Sequence, residues 1–453
     1  MAFKHESWSS RTTFLMAAVG AAVGLGNIWR FPYMTGTNGG GAFVLIYLAA
    51  VALIAIPVLI SETMIGRHGH MSAPVSMQKA AAEVGASKSW GIVGWFGVAA
   101  AFLILSFYSV IGGWVIAYVP KTISGTFAGM DAAGVNADFN ALLGNPTSVL
   151  FWHTVFIAVT VAIVLQGIKS GLERAVSIMM PALFVMLLLI VGYAIAAGDF
   201  SAGLSFLFAP DFSKITAEVI LAAIGQAFFS IGVGIGIMFT YGAYLPDDIP
   251  LPRACVMIAI ADTLVAILAG LAIFPIVFAN GLDPDTGPGL VFVTLPLAFG
   301  QMTGGAIIGT AFFVLLAFAA LTSAISLLEV PVSWLEERSG WTRRTATLTI
   351  GGAIWLVGVG SALSTSVWSD VYLLGFVEKF KTTGILDLVD YITGQALLPL
   401  GGMLIAVFAG WWMKPDVLTK ELGMSETVFK TWRFLVRFVC PVGIFWVLAS
   451  AWF

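Results

Sequence analysis

The chain holds 453 residues, of which 59% are hydrophobic and only 10% charged, with a formal net charge of -3. Soluble domains carry roughly 25% charged residues, so this composition excludes an ordinary water-soluble enzyme, a disordered chain and a nucleic-acid binder. The near-neutral charge selects neither an acidic nor a basic partner.

A bilayer crossing needs about 20 mostly apolar residues, so a chain of this length with short loops holds roughly ten to twelve crossings. Hydropathy and helix breakers mark eleven, over 12–35, 41–66, 90–123, 148–167, 171–197, 217–245, 252–279, 304–337, 343–361, 383–413 and 429–452. Two shorter pieces, 211–217 and 289–301, read as surface helices in loops, the second because Pro296 interrupts it. With no soluble appendage or low-complexity linker, residues 1–453 read as one all-α polytopic membrane domain. No cleavable signal peptide is expected: the first apolar segment lacks a small-residue cleavage site and contains Asn27 and Arg30.

Orientation follows from the basic residues. With the N-terminus in the cytoplasm, 16 of the 21 Lys and Arg fall on inner segments and four, Lys121, Lys214, Lys379 and Lys381, fall outside. The last, Arg30, lies within a span. An odd number of crossings then places the C-terminus outside. Cys255 is expected near one membrane face and Cys440 inside the last span, so no disulfide joins them.

Ionisable residues inside spans are costly and are functional candidates by default. Glu62, Asp262, Glu329 and Arg30 qualify, with Asp390 near an outer end. A structural role as hydrogen-bond anchors competes for Glu62 and Glu329. The first span contains Gly24, Gly26, Asn27 and Arg30 in its middle, and the sixth contains Gly232, Gly234 and Gly236. Close packing through small residues explains glycines but not Asn27 or Arg30. Two interrupted helices at matching places in two halves point to a transporter with inverted repeats, here about 12–197 and 217–413 with an extra helix at 429–452. Thr322 and Ser323 in the eighth span add hard oxygen ligands suited to an alkali cation. Alone, such a pair more often packs or bonds back to its own helix.

Ala-Val-Gly-Leu-Gly-Asn-Ile-Trp-Arg-Phe-Pro at 22–32 resembles the signature of the neurotransmitter:sodium symporter family. So do Asn-Gly-Gly-Gly-Ala-Phe at 38–43, Gly-Gln-Ala-Phe-Phe-Ser at 225–230 and Ala-Leu-Thr-Ser at 320–323. The resemblance runs from about residue 5 to 450, and its eleven spans match a bacterial amino-acid transporter branch. It implies a sodium-coupled symporter in a bacterial cytoplasmic (inner) membrane, working by alternating access, and not an enzyme. Two sodium sites are implied. The first would use Ala22, Asn27, Ser230 and Asp262, completed by the substrate carboxylate. The second would use the Gly20, Val23 and Ala319 carbonyls with the Thr322 and Ser323 hydroxyls.

The resemblance also implies an α-amino acid substrate, held by the Leu25 and Gly26 amides, the Tyr108 hydroxyl and carbonyls of Ala22, Phe229 and Ser230. Gly24 stands where monoamine carriers have Asp, which favours a substrate bringing its own carboxylate. Ile104, Tyr108, Phe229, Gly232, Ile235, Ser323, Ser326 and Leu327 would line an apolar side-chain pocket. Gly232 and Ile235 are expected to enlarge it for large or aromatic L-amino acids. Asp262 stands where many members have Asn, and Ala266 where chloride-dependent members have Ser. A fixed carboxylate could replace the anion, so chloride independence is expected. Arg30 and Asp390, with Gln226 nearby, would form the outer gate, and Tyr108 with Phe229 an aromatic lid. Trp8, Tyr244 and Glu337 would form the inner gate, with Lys4 or His5 in place of the family's Arg. Gly171 and Pro181 mark the inner end of the fifth span as a place for local unwinding.

Other readings compete. An amino-acid-sensing receptor or a proton-coupled transporter could use the same frame, although Asn27, Thr322 and Ser323 favour sodium. A channel lacks its continuous polar pore. An enzyme lacks its chemistry, since His5, His68, His70 and His153 form no metal-spaced pair within a span. The oligomeric state stays open.

Overall fold

A computed structural model describes residues 7–452 except Asp247 and Pro288. Lys4 and His5, expected at the inner gate, lie outside the described residues. The described chain is helical throughout. In order, the elements are α1 (Arg11–Ala22), α2 (Gly26–Thr37), α3 (Gly41–Gly69), α4 (Ala73–Glu83), α5 (Lys88–Ile123) and α6 (Ala132–Leu143). There follow α7 (Pro146–Val164), α8 (Ile168–Ala197), α9 (Phe200–Phe208), α10 (Ala217–Ile231), α11 (Ile237–Ala243) and α12 (Leu251–Ala279). The last are α13 (Leu290–Gln301), α14 (Gly305–Ser339), α15 (Arg343–Leu363), α16 (Ile385–Trp412), α17 (Pro415–Leu422) and α18 (Glu426–Trp452).

Among the described residues, nine helices are long and apolar enough to cross a membrane unbroken, and α1 with α2 makes a tenth, bent by 48°. The remaining expected crossing is the broken pair α10 and α11. Local chemistry starts the helices. Ser10 closes a capping box with Thr13, and the Asn145, Thr216 and Thr342 side chains cap α7, α10 and α15.

Both breaks have identifiable causes. Val23 is extended (φ -70°, ψ 105°), and its amide closes the last bond of α1 on the Val19 carbonyl at 2.7 Å. Between α10 and α11, Gly232, Gly234 and Gly236 all take left-handed backbone, with φ of 71°, 84° and 85°, which only glycine enters without strain. The freed amides need partners. The Glu62 carboxylate on α3 accepts from Gly234 N at 2.8 Å and Gly236 N at 3.1 Å. Of the two roles open to Glu62, the geometry shows that of an anchor.

The two most buried spans are α5 and α14, while α18 is the least buried. Two expected surface pieces differ. Only a single short turn, Phe212–Lys214, forms near 211–217. The 289–301 piece becomes α13, with Leu290, Val291, Leu295 and Phe299 buried. Pro296 lies inside α13, and the Phe292 carbonyl four residues before it accepts from the Tyr118 hydroxyl at 2.8 Å instead, which holds α13 inward against α5. The short helices α4, α6, α9 and α17 carry too few apolar residues in sequence to stand out as spans.

Replacing Glu62 by Ala strands two buried amides. Each charge-assisted bond contributes about 1.5–3 kcal/mol, so thermal unfolding in detergent should fall by many degrees, with Glu62→Gln intermediate. Equal midpoints for Glu62→Ala and the parent would contradict the anchoring role.

Candidate functional site

Three expected residues meet where the first break faces α10 and α12. The Asn27 amide nitrogen donates to Ser230 Oγ at 2.9 Å, the Asp262 carbonyl at 3.0 Å and Asp262 Oδ1 at 2.7 Å. Its oxygen accepts from Gly24 N at 3.0 Å. Ser230 Oγ donates to Asp262 Oδ2 at 2.7 Å. All three side chains are buried, and Ala22 lines the cavity beside them. The carboxylate's partners are neutral, so its charge remains available to a cation. Sequence reasoning missed Tyr47, whose hydroxyl reaches Ser230 Oγ at 3.3 Å. A phenol in the middle of an apolar span was the available signal.

The second expected set also converges. Ser323 Oγ faces the Gly20, Ala21 and Val23 carbonyls at 3.5, 3.2 and 3.4 Å. Thr322 Oγ1 sits 3.0 Å from the Ala319 carbonyl. One hydroxyl proton cannot satisfy three carbonyl oxygens. A buried cluster this rich in oxygen acceptors and poor in donors fits a hard cation. Ala21 joins the residues foreseen.

Between these clusters lies a cavity of about 40 Å³. Ala22, Leu25, Gly26, Ile104, Tyr108 and Phe229 line it, as do Ser230, Gly232, Ile235, Ser323 and Leu327. Leu25 N lies 3.3 Å from the Tyr108 hydroxyl. At Gly232, the Ile235 Cδ1 lies 3.5 Å from where a Cβ would stand, an ordinary van der Waals contact. Gly24 marks close approach, since a Cβ there would fall 2.4 Å from Ser323 Oγ and 3.1 Å from the Tyr108 hydroxyl. Ser326 is not at this cavity. It accepts from the Tyr241 hydroxyl at 2.7 Å and bonds back to the Thr322 carbonyl, because it lies almost a full turn beyond Ser323 toward the cytoplasm.

A larger vestibule of about 280 Å³ lies outside, sharing Leu25, Tyr108 and Phe229 with the inner cavity. Those residues are at once floor of one and roof of the other. Arg30 and Asp390 both line the vestibule, but among the described residues no ion pair joins them. The Arg30 guanidinium instead lies over the Phe229 ring, 4.2 Å from its centroid. Gln226 also departs from expectation: its amide donates to the Gly26 carbonyl at 2.9 Å, beside the Phe31 amide that this carbonyl already accepts, and the side chain does not line the vestibule.

The opposite side of the bundle, where Trp8 lies, is closed. Trp8 donates from Nε1 to the Tyr241 carbonyl at 3.1 Å and from its amide to Tyr244 O at 3.2 Å. The Tyr244 hydroxyl donates to Glu329 at 2.8 Å, and Arg343 bridges Glu329 and Glu336. Glu337 accepts from Ser72 N at 2.6 Å. Glu329, foreseen only as a polar anchor, thus takes the Tyr244 contact expected of the inner gate, because it points to the bundle and Glu337, two turns on, points to α4. Below the membrane, His68 and Arg67 hold Glu421 on α17, and their hydrogen bonds and charge push its carboxyl below the usual range.

The family model described as the sodium:neurotransmitter symporter family matches residues 5–133 and 138–452. An uncharacterized sodium-dependent transporter of Bacillus subtilis is 40% identical over 97% of this chain and 96% of its own. Another, of Haemophilus influenzae, is 36% identical over 99% of this chain and 98% of its own. Among solved structures, MhsT in complex with L-phenylalanine is similar with a TM-score of 0.90 and 45% identity, covering 99% of this chain and 100% of that one.

Substituting Gly24 by Ala should drive Ser323 off the three carbonyls, a misfit of about 1–3 kcal/mol. Sodium should then raise the unfolding midpoint less than in the parent. A sodium-dependent shift of parental size would show that this close approach is not needed.

Proposed function

Since the chain belongs to the sodium:neurotransmitter symporter family, we propose that it imports large hydrophobic or aromatic L-amino acids with sodium, across a bacterial inner membrane with its N-terminus in the cytoplasm and its C-terminus outside. The observation that carries the reading is the pair of buried oxygen clusters on either side of one small cavity. The likeness to a relative solved with L-phenylalanine supports the substrate class.

In this reading the substrate carboxylate meets the Leu25 and Gly26 amides and the Tyr108 hydroxyl, and completes the ligand shell begun by Asn27, Ser230 and Asp262. Sodium and substrate thereby raise each other's affinity. The amine takes the carbonyls of Ala22, Phe229 and Ser230. The side chain enters where Ile235 now leans toward Gly232. A rotamer change of Ile235 and the glycine-rich backbone beside it would open the space, so an aromatic substrate needs local adjustment rather than a preformed pocket. Gly20, Val23, Ala319, Thr322 and Ser323 hold the second sodium.

Asp262 brings a fixed negative charge to the first site, and Ala266, one turn along α12, offers no hydroxyl for an anion. Transport is therefore chloride-independent. The inner repeat, 12–197, and its inverted counterpart, 217–413, rock about this midplane site. Arg30 leaves Phe229 to meet Asp390 when the outer side closes, and Trp8, Tyr244 and Glu337 release when the inner side opens.

Unwinding at the inner end of α8 opens water's path to the second sodium. Pro181 lies within α8 and Met180 packs against Gly20, its Sδ 3.1 Å from a Cβ placed there. The Ser9 amide and hydroxyl both donate to Glu173, at 2.7 and 2.6 Å, in the wide turn that begins α8. The N-terminal strand and the end of α8 therefore move together.

In proteoliposomes, uptake of labelled phenylalanine, leucine or tryptophan should require an inward sodium gradient and persist when gluconate replaces chloride. Binding without net uptake would instead favour an amino-acid-sensing receptor, and uptake driven by a proton gradient alone would favour proton coupling. Asp262→Asn should weaken sodium binding by at least about tenfold through loss of a charge–charge contact. Pro181→Ala should slow turnover while leaving equilibrium amino-acid affinity unchanged; parental turnover would sink the role given to that proline.

A further inference from the structure

Away from the transport site, a groove of about 600 Å³ lies on the outside of the bundle, between α3, α12 and α18. Its floor is Pro57, Ile60 and Trp432, with the Trp432 indole donating to the Pro57 carbonyl at 3.2 Å. Next to the groove, α18 packs on the wide turn of α3 at Val51–Ala55, with Cys440 Sγ 3.6 Å from the Leu53 carbonyl.

The groove has a polarity. Its α18 wall runs from Thr427 to Leu435, about 12 Å along the helix axis. That is close to one leaflet of a hydrocarbon core about 30 Å thick. The wall begins at the cytoplasmic ends of α12 and α18, where Arg253 lines the rim. Met257, one turn further along α12, also lines the groove, and the Arg11 guanidinium of α1 reaches its sulfur at 3.6 Å. The Arg11 Nε is buried without a hydrogen-bond partner. Among the described residues, neither Arg11 nor Arg253 makes an ion pair. Glu426, the carboxylate at the start of α18, is paired with Lys430.

We propose that this groove binds an anionic phospholipid of the inner leaflet, with one acyl chain along α18 and its phosphate between Arg11 and Arg253. The apolar walls fit the chain, the length fits a leaflet, and Arg253 on the rim with Arg11, which reaches Met257, supplies the guanidinium donors a phosphate takes. Arg11 belongs to the half-helix α1, whose other end supplies carbonyls to the Ser323 cluster. A lipid there therefore links α1 to α12 in the inward-closed arrangement.

The test uses the purified full-length protein, stripped of lipid in detergent. Phosphatidylglycerol and phosphatidylcholine of equal chain length are added back, with bound lipid counted by native mass spectrometry and the unfolding midpoint followed. Phosphatidylglycerol should be retained preferentially and raise the midpoint more. Each of Arg11→Gln and Arg253→Gln should weaken its retention about fivefold, and the pair should remove the preference. Val256→Trp, which fills the groove and leaves both arginines, should displace both lipids. Equal retention of the two lipids by the parent, preference surviving in the double variant, or retention unaffected by Val256→Trp would each overturn the proposal. A free-phosphate salt that reproduces the stabilisation without lipid would do so too, since it would show an ion site rather than a lipid site.

Discussion

A bilayer offers no water to an open backbone, so every amide and carbonyl released by a broken helix must find its partner inside the protein. This chain breaks two helices and sets buried polar side chains at both breaks. Glu62 takes the Gly234 and Gly236 amides, and Asn27 takes the Gly24 amide. An unsatisfied buried group costs about 1–3 kcal/mol even in soluble proteins. These side chains are thus conditions for the breaks to exist.

What the side chains leave unsatisfied is as informative as what they satisfy. The Gly20, Ala21 and Val23 carbonyls share one serine hydroxyl, and the Asp262 carboxylate meets only neutral partners. Both deficits are deficits of positive charge. A cation entering either place completes a structure that is otherwise short of donors, which is how a transporter can make ion binding favour one arrangement of its helices. Because α1 contributes to one cluster and the α1–α2 junction to the other, the two ions act on the same half-helices.

The two sides of the membrane are closed by different chemistry. The inner side is held by a connected set of buried bonds running from Trp8 through Tyr244 to Glu329 and Arg343. The outer side is held only by the aromatic floor of the vestibule, with Arg30 stacked on Phe229 and separate from Asp390. The arrangement is inward-closed with the outer ion pair unmade. A small substrate cavity beneath an open vestibule follows from this: the roof residues have packed down on the cavity, and the gate above them has not.

The sequence by itself determined the class, the apolar spans and the places where two helices break. Those properties depend on local chemistry, which a linear chain displays: apolar runs, and glycines and an Asn where a helix should be unbroken. It also marked Asn27, Ser230, Asp262, Thr322 and Ser323, because polar atoms in lipid are conspicuous wherever they fold. Only the tertiary structure decided partners. Tyr47 reaches Ser230 across 183 residues and Gln226 reaches Gly26 across 200, so no local pattern could disclose them. The same holds for Glu329 meeting Tyr244 and for Ser326 turning to Tyr241. A hydrogen bond spans about 3 Å, and which of two groups a turn apart comes within that reach is fixed by how the helices rotate against one another.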